Sequence, residues 1–399
     1  MRKIFFAISM MFVLCCCGCS NGEEAQTLNV YNWGQYISDG SEGTLNVNKE
    51  FEKYCLDELG INVKVNYTTY ASNEDMYNKI KSGSASYDVI IPSDYMIERM
   101  INEDMLLKLD FSNIPNYEYV NSEFKGLFFD ENDEYSVPYT YGMVGIIYNE
   151  TMIDEEDVGG WDLLWNEKYA GKILQFNNPR DAFATAIYAD YGDVNTTDAA
   201  VWEAAAEKLK EQKPLIQSYV MDEIFNKMKS GSAAAAPYYA GDYLTMYDSN
   251  DSLRFYYPKE GTNVFVDSMC VPACARNKEL AEEYINFMLS DEIAVANAEY
   301  IAYSSPHDNV TSNEDYIADM TDWNEDAMEI LYPTDIDVEA TYFENLDNDT
   351  LDLQNSLWES LKLENSVEPW VYITSGGIIL LLLGMFLYKY IVKRIRDNY

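Results

Sequence analysis

The sequence predicts an α/β fold in which two lobes lie between a membrane-targeting segment at each end of the chain. Short apolar runs rich in β-branched and aromatic residues alternate with helix-like segments. This alternation favours α/β lobes with largely parallel sheets. The terminal segments leave about 340 residues between them, which is enough for two lobes of ordinary size. No internal repeat or low-complexity linker divides this stretch.

The individual elements follow from local pattern. Strands are predicted at residues 28–31, 63–67, 89–91, 144–148, 173–175 and 255–257, and helices at 73–82, 95–103, 181–190, 198–211 and 278–289. Asn73 and Asp198 stand just before helical segments with acidic residues in the first turn. Both are therefore predicted to be helix N-caps.

The first 19 residues have the order of a secretory signal peptide. Arg2 and Lys3 precede an apolar run that ends in small residues and cysteines, and the run is too short to be a spanning helix. Residues 15–22, CCCGCSNG, resemble a bacterial lipobox. This resemblance implies lipidation of Cys19, which follows Gly18, with Cys17 as the alternative.

A second membrane signal lies at the C-terminus. Residues 370–388 form a largely apolar run of 19 residues without a charge, and at roughly 1.5 Å per residue such a helix matches one hydrocarbon thickness. A basic tail, residues 389–399, follows it. The positive-inside rule then predicts a transmembrane helix with a cytoplasmic C-terminus and an extracytoplasmic domain before it.

The composition limits the class of partner. The chain carries a net charge of −41 at pH 7, with 34 tyrosines and one histidine. Its field repels nucleic acid and anionic lipid and attracts small cations. Together with so many aromatic rings, this charge predicts a cationic, partly apolar ligand.

Signatures of catalysis and of metal binding are absent from the sequence. There is no phosphate loop, no G-x-S-x-G and no H-E-x-x-H. The acidic run at 130–134 lacks the glycine of an EF-hand loop. Cys55, Cys270 and Cys274 are interpreted as ordinary small apolar residues rather than as a disulfide framework or a metal site. We therefore predict a protein that is not an enzyme and needs no cofactor or metal.

Several sequence blocks resemble one known family. They read LNVYNWGQY (28–36), TYASNEDMYNKIK (69–81), YDVIIPSDY (87–95), YSVPYTYG (135–142), YPKEGTNVFVDSMCVP (257–272) and IAYSSP (301–306). In order and spacing they are similar to the spermidine/putrescine-binding receptors of bacterial ABC importers. The similarity covers roughly residues 28–345.

The resemblance implies a type II periplasmic-binding-protein fold, in which two crossover strands join two lobes around a ligand cleft. It places lobe 1 at residues 28–142 and 267–311 and lobe 2 at 143–266 and 312–362. It also implies that the ligand is bound by Trp33, Tyr36, Ser93, Tyr95, Asp181, Tyr239, Asp242, Phe265, Asp267, Tyr303 and Glu344. The implied partners are a polyamine and an ABC transporter permease.

General chemistry supports these residue types. Spaced carboxylates can accept charge-assisted hydrogen bonds from ammonium groups, and aromatic rings between them can cover methylenes and attract the cations. Asp242 and Phe265 are typical of putrescine-binding members, whereas Asn178, Gly34 and Tyr239 depart from the family pattern. Putrescine is therefore favoured, with spermidine as the alternative.

Other functions remain open at this level. The adjacent Tyr238 and Tyr239 resemble the paired tyrosines of ferric-ion receptors with the same fold. A membrane-anchored polyamine sensor and a glycan hydrolase with a carboxylate pair are further alternatives. The predicted tail of about ten residues is too short to hold a signalling domain.

Overall fold

The computed structural model describes residues 25–190, 192–334, 337–363 and 384–385. Ten strands are formed by β1 Gln26–Trp33, β2 Val63–Tyr70, β3 Val89–Ile90, β4 Ser136–Asn149, β5 Ile173–Phe176, β6 Ile216–Val220, β7 Ala235–Tyr239, β8 Leu253–Tyr256, β9 Thr262–Cys270 and β10 Ala340–Tyr342. All six predicted strands are among them. The long strand β4 begins well before its predicted segment, and the long strand β9 has no counterpart among the predicted strands.

The helices of the described residues are α1 Val47–Asp57, α2 Asn73–Lys81, α3 Asp94–Asn102, α4 Pro179–Asp190, α5 Ala199–Gln212, α6 Glu223–Lys229, α7 Ala240–Tyr247, α8 Lys278–Met288, α9 Asp291–Ile301, α10 Asp308–Thr311, α11 Glu314–Trp323, α12 Ala327–Leu331 and α13 Asn348–Leu363. The five predicted helices are confirmed as α2, α3, α4, α5 and α8. Asp198 caps α5 as predicted, because its side chain accepts from the Ala200 amide.

The predicted N-cap at Asn73 is wrong. Ser72 caps α2 by accepting a hydrogen bond from the Asp75 amide, and Asn73 is the first residue inside the helix. Serine is as good an N-cap as asparagine, so local propensity could not separate the two neighbours. The Asn73 side chain is therefore free to bind elsewhere, and it contributes to the site described below.

The strand order is β2-β1-β3-β9-β4-β7-β5-β6, with β10 beside β9 and β8 beside β4. The strands at each end of this order, β2-β1-β3 and β7-β5-β6, pair in parallel, as predicted. The central strand β4 is antiparallel to β7, β8 and β9. Its first part, up to Met143, pairs with β9, and its second part, from Val144, pairs with β7 and β8. One long strand thus passes from one half of the sheet to the other.

Helices cover both halves of the sheet and bury aromatic side chains against it. In the first half, Phe51 of α1 meets Tyr284 of α8 edge-on, with 4.9 Å between ring centroids. In the second half, Phe183 of α4 meets Trp202 of α5 with centroids 5.5 Å apart. Burial of such large side chains supplies much of the hydrophobic stabilisation of each half.

The predicted signal peptide and Cys19 lie outside the described residues, as does nearly all of the predicted span at 370–388 and the whole tail at 389–399. Among the helices that the structure does describe, none has the length and apolar character required to cross a bilayer.

Candidate ligand-binding site

A cavity of about 70 Å³ lies beside the central strands β4 and β9. This is several times the roughly 10–15 Å³ that one water molecule needs. Its walls come from the ends of β1, β2 and β7, from β9 and from the first turns of five helices, α2, α3, α4, α6 and α7. Five carboxylates line it, Asp94, Asp181, Asp222, Asp242 and Asp267, together with ten aromatic side chains, Trp33, Tyr36, Tyr70, Tyr95, Phe225, Tyr238, Tyr239, Phe265, Tyr303 and Phe343.

Asp267 lies on β9 and is only 4% exposed. One of its oxygens, Oδ2, accepts a hydrogen bond of 2.6 Å from the Tyr36 hydroxyl. The other, Oδ1, is buried and has no hydrogen-bond partner among the described residues. A buried carboxylate oxygen without a partner is costly. Asp267 therefore offers a free acceptor to a cation in the cavity.

The neighbours of Asp267 fix its orientation. Thr140 faces it across the β4–β9 pair, and the Thr140 and Tyr36 hydroxyls are 2.6 Å apart. On the other side, Ser93 forms an isolated β-bridge with Asp267. Asn73 holds this serine, donating a hydrogen bond of 3.1 Å to its hydroxyl and accepting one of 3.2 Å from its amide.

Asp181 and Asp242 each stand in the first turn of a helix, and each accepts a hydrogen bond from a tyrosine of the cavity wall. The Tyr239 hydroxyl donates to Asp181 Oδ2 at 3.0 Å, and the Tyr303 hydroxyl donates to Asp242 Oδ2 at 2.8 Å. The helix N-terminus favours a carboxylate at both positions. Each pair leaves carboxylate acceptor capacity for a ligand.

Burial raises the pKa of every carboxylate in the lining. The pKa of Asp181 and of Asp242 rises to about 7 and that of Asp267 to about 6, with burial as the largest cause. The pKa values of Asp94 and Asp222 are raised for the same reason. In the empty cavity, burial thus disfavours the ionised form of these carboxylates. A bound cation would favour the ionised form again.

The aromatic side chains form continuous walls between these carboxylates. Phe265 lies edge-on to Tyr239 with centroids 5.4 Å apart and lies 6.1 Å from Tyr303. The ring centroids of Trp33 and Tyr70 are 4.6 Å apart, and the Trp33 indole nitrogen donates a hydrogen bond to the Ile91 carbonyl. Their polar atoms are thus partly satisfied within the protein, while ring faces remain for methylenes and cations.

A second layer of charges lies behind Tyr95. The Tyr95 hydroxyl donates to Glu74 Oε1 at 3.0 Å. Nearby, the buried Arg180 donates to the Asn195 side chain and to the Glu344 carbonyl, and its guanidinium lies 4.5 Å from the Phe343 ring centre. Arg180 lowers the pKa of Glu74 and of Asp181, partly offsetting the effect of their burial.

The structure brings together ten of the eleven predicted site residues, Trp33, Tyr36, Ser93, Tyr95, Asp181, Tyr239, Asp242, Phe265, Asp267 and Tyr303, in one cavity lining. It does not bring Glu344 there, because this side chain is exposed. The preceding residue, Phe343, lines the cavity instead. The Glu344 backbone is bound by Arg180 and Asn195, which fixes the outward direction of its side chain.

Sequence reasoning missed several cavity residues. Asn73 is predicted only as a helix N-cap. Asp94, which directly follows Ser93, is not among the predicted ligand-binding residues. Asp94 accepts hydrogen bonds from the Tyr95 and Val266 amides, so it joins α3 to β9. Asp222 precedes the short helix α6, which was not predicted. Asn73 and Asp94 both lie inside the sequence blocks that resemble the family and so carried a usable signal, whereas Asp222 lies in none of those blocks.

A metal or catalytic centre finds no support in this geometry. Within residues 25–190, 192–334 and 337–363, no group of three or more histidine, cysteine or acidic side chains is arranged to hold a metal ion. The single histidine, His307, is buried away from the cavity lining and contacts the Leu289 carbonyl. The cavity lining itself combines carboxylates with aromatic side chains.

Comparison with known proteins identifies the family to which this chain is similar. The model of the bacterial extracellular solute-binding protein family matches residues 47–322. The spermidine/putrescine-binding periplasmic protein of Salmonella typhimurium is 34% identical over 72% of this chain and 80% of its own length. The putrescine/cadaverine-binding protein of Pseudomonas aeruginosa is 27% identical over 77% of this chain and 85% of its own.

A solved structure extends the likeness to the fold. The spermidine/putrescine ABC transporter substrate-binding protein of Streptococcus pneumoniae is 33% identical, with a TM-score of 0.66, and covers 85% of this chain and 99% of its own. The chain belongs to the bacterial extracellular solute-binding protein family and has the α/β periplasmic-binding-protein fold. It is a solute-binding protein and not an enzyme.

Proposed function

We propose that this solute-binding protein is an extracytoplasmic polyamine receptor that delivers putrescine, or alternatively spermidine, to an ABC transporter permease. The observation that carries the proposal is the cavity in which Asp181, Asp242 and Asp267 are held between aromatic walls. None of these three carboxylates forms a salt bridge to a lysine or arginine of the described chain. A ligand with two ammonium groups and a short apolar chain matches both features.

The free energy available from these contacts is sufficient for micromolar binding of putrescine. Burying the four methylenes of putrescine contributes about 3 kcal/mol at roughly 0.8 kcal/mol each. Cation–π attraction adds about 0.5–2 kcal/mol for each well-placed ring. Micromolar affinity requires about 8 kcal/mol, so ion pairs with two of the carboxylates complete it if they exceed their desolvation cost.

The names of the relatives support the same ligand class. Those relatives are described as binding spermidine and putrescine or putrescine and cadaverine. In this chain the cavity residues come from both halves of the sheet, and β4 crosses from one half to the other at Met143–Val144. We propose that residues 28–142 with 267–311, and residues 143–266 with 312–362, close as two lobes on the ligand.

Titration calorimetry of the purified chain with putrescine, cadaverine, spermidine and spermine tests the function. We expect micromolar or tighter binding of at least one polyamine, with ferric citrate as the control for an iron receptor. Absence of detectable binding of all four polyamines would overturn the proposal. Binding of ferric citrate together with a visible charge-transfer band would favour the paired tyrosines Tyr238 and Tyr239 as an iron site.

Replacing Phe265 with leucine should weaken polyamine binding. Leucine keeps an apolar side chain in contact with Tyr239 and Tyr303 but removes the π face beside Asp267. Loss of one cation–π contact of about 0.5–2 kcal/mol predicts a decrease in affinity of about two- to thirtyfold. A matched Phe287→Leu variant, half-buried against Phe51 and outside the cavity lining, should bind as tightly as the wild type. Equal affinity of all three proteins would contradict a role for the Phe265 ring.

We further propose that the receptor is held at the membrane at both ends, by a lipid on Cys19 and by a helix at 370–388 with its basic tail in the cytoplasm. Two anchors would keep the receptor beside its permease. The protein should remain in the membrane fraction after extraction at high pH, and Cys19→Ser should remain there too. Cys19→Ser combined with truncation after residue 363 should be released. Release of the full chain at high pH would exclude the helix as an anchor.

A further inference from the structure

The cavity carboxylates fall into two electrostatic groups. Asp267 raises the pKa of Asp181, so these two carboxylates lie within range of each other. Asp222 lies just before α6 and Asp242 lies in the first turn of α7, and these two helices pack against each other. Burial is the main cause of the raised pKa of Asp242, and the nearby Asp222 raises it further. Like charges in one cavity repel each other, and a cation bound between them relieves the repulsion. The cavity thus has one acidic end at Asp222 and Asp242, beside the packed helices α6 and α7, and another at Asp181 and Asp267, on α4 and β9.

Asp222 occupies a distinctive place at this second end. It directly precedes α6, yet its side chain makes no capping hydrogen bond to that helix. Its carboxylate instead extends to the chain just after β1, where Oδ2 would lie 2.8 Å from a Cβ placed on Gly34. Asp222 and Gly34 both line the cavity. A carboxylate of the second half of the sheet thus rests against the backbone of the first half at the cavity wall.

This contact depends on the absence of a side chain at position 34. The backbone of Gly34 does not have a positive φ angle, so the glycine is not required by conformation. It is required by space, because a methyl group would collide with the Asp222 carboxylate. A Cβ atom and an oxygen essentially never approach to 2.8 Å, so the Asp222 carboxylate, at the free end of its side chain, would have to move away.

We propose that Asp222 is a ligand-contacting residue that, with Asp242, binds one ammonium group of the polyamine and selects for ligands charged at both ends. Gly34 is the position that lets the Asp222 carboxylate reach the cavity. The inference rests on the proposed polyamine function and adds to it a second anionic end. A diamine spans the two ends with its two ammonium groups, whereas a monoamine satisfies only one of them.

Asp222→Asn tests this assignment in the full chain. It should weaken putrescine binding by about three- to tenfold, because a partly exposed charge contributes less than a buried one. Affinity for the monoamine butylamine, measured by competition, should change less than about twofold, so selectivity for the diamine falls. Asp251→Asn is the matched control, since it makes the same change at an exposed residue outside the cavity lining. It should behave as the wild type.

A double-mutant cycle tests the role of Gly34. Gly34→Ala should weaken putrescine binding by a similar factor in the wild type and have no further effect in the Asp222→Asn background, because asparagine already lacks the charge that the alanine displaces. Unchanged putrescine affinity of Asp222→Asn would overturn the inference. An undiminished Gly34→Ala effect in that background would overturn the proposed route through Asp222. Failure of the wild type to bind any polyamine would instead reject the proposed function itself.

Discussion

Replacing Asp267 with asparagine should weaken polyamine binding by at least about tenfold, the largest loss we expect from a single substitution. The change removes a charge and leaves the shape of the cavity almost unaltered. Asp267 Oδ1 has no partner among the described residues, so it is free for a ligand ammonium. Loss of one partner of a buried ion pair costs about 2–5 kcal/mol, and about 1.4 kcal/mol already corresponds to a factor of ten.

The stability of the ligand-free protein separates this effect from misfolding. Burial opposes the negative charge of Asp267 in the empty cavity, so the neutral amide should not lower the melting temperature. The Tyr36 hydroxyl can still donate to the amide oxygen of the introduced asparagine in place of the carboxylate. Asp251→Asn, an exposed change of equal charge outside this cavity, serves as the control. Wild-type affinity of Asp267→Asn, measured by calorimetry, would exclude Asp267 as a ligand residue.

The order of the sequence blocks predicted most of the cavity because several of the cavity residues in them lie at element boundaries. Trp33 ends β1, and Ser93 and Tyr95 flank the first residue of α3. Parallel strands followed by helices bring such boundaries to one edge of a sheet. The strand–helix alternation and the family resemblance therefore predicted both the fold and ten of the cavity residues.

The remaining positions depend on geometry that the sequence does not express. Asn73 and Ser72 are equally good caps, and only the folded chain shows that Ser72 has that role. Glu344 differs from Phe343 by one position, and in an extended segment one position reverses the direction of the side chain. Asp222 reaches the cavity only because Gly34, far earlier in the chain, leaves space for it. Contacts between such distant positions carry no local pattern.

The carboxylates of the cavity also couple ligand binding to the release of protons. In the ligand-free protein the pKa is about 7 for Asp181 and for Asp242 and about 6 for Asp267. A bound cation stabilises the ionised forms and so lowers all three pKa values. Binding therefore releases protons wherever the pH lies below the ligand-free values, and affinity falls as the pH falls through this range.

We expect polyamine affinity to decrease by at least about tenfold between about pH 7.5 and about pH 5.5 and to level off above neutrality. The stability of the ligand-free protein should change in the opposite direction. For an aspartate whose pKa is raised on folding, the folded state holds more protons than the unfolded state between the two pKa values, so stability is greatest at low pH within that window and falls as pH rises through the folded pKa. Calorimetry and thermal unfolding across this range measure both trends.

Two variants test whether the pH dependence of polyamine affinity comes from the cavity carboxylates. Asp181→Asn and Asp242→Asn should each bind more weakly near neutral pH but lose less of the remaining affinity on acidification, because one titrating group is gone. Putrescine keeps both ammonium charges throughout the range from about pH 5.5 to about pH 7.5, so the change cannot come from the ligand. A pH dependence as steep in both variants as in the wild type would mean that other groups take up the protons. Opposite slopes for affinity and for ligand-free stability follow from one cause, because the burial that makes these carboxylates costly in the empty cavity also makes them strong acceptors for a cation.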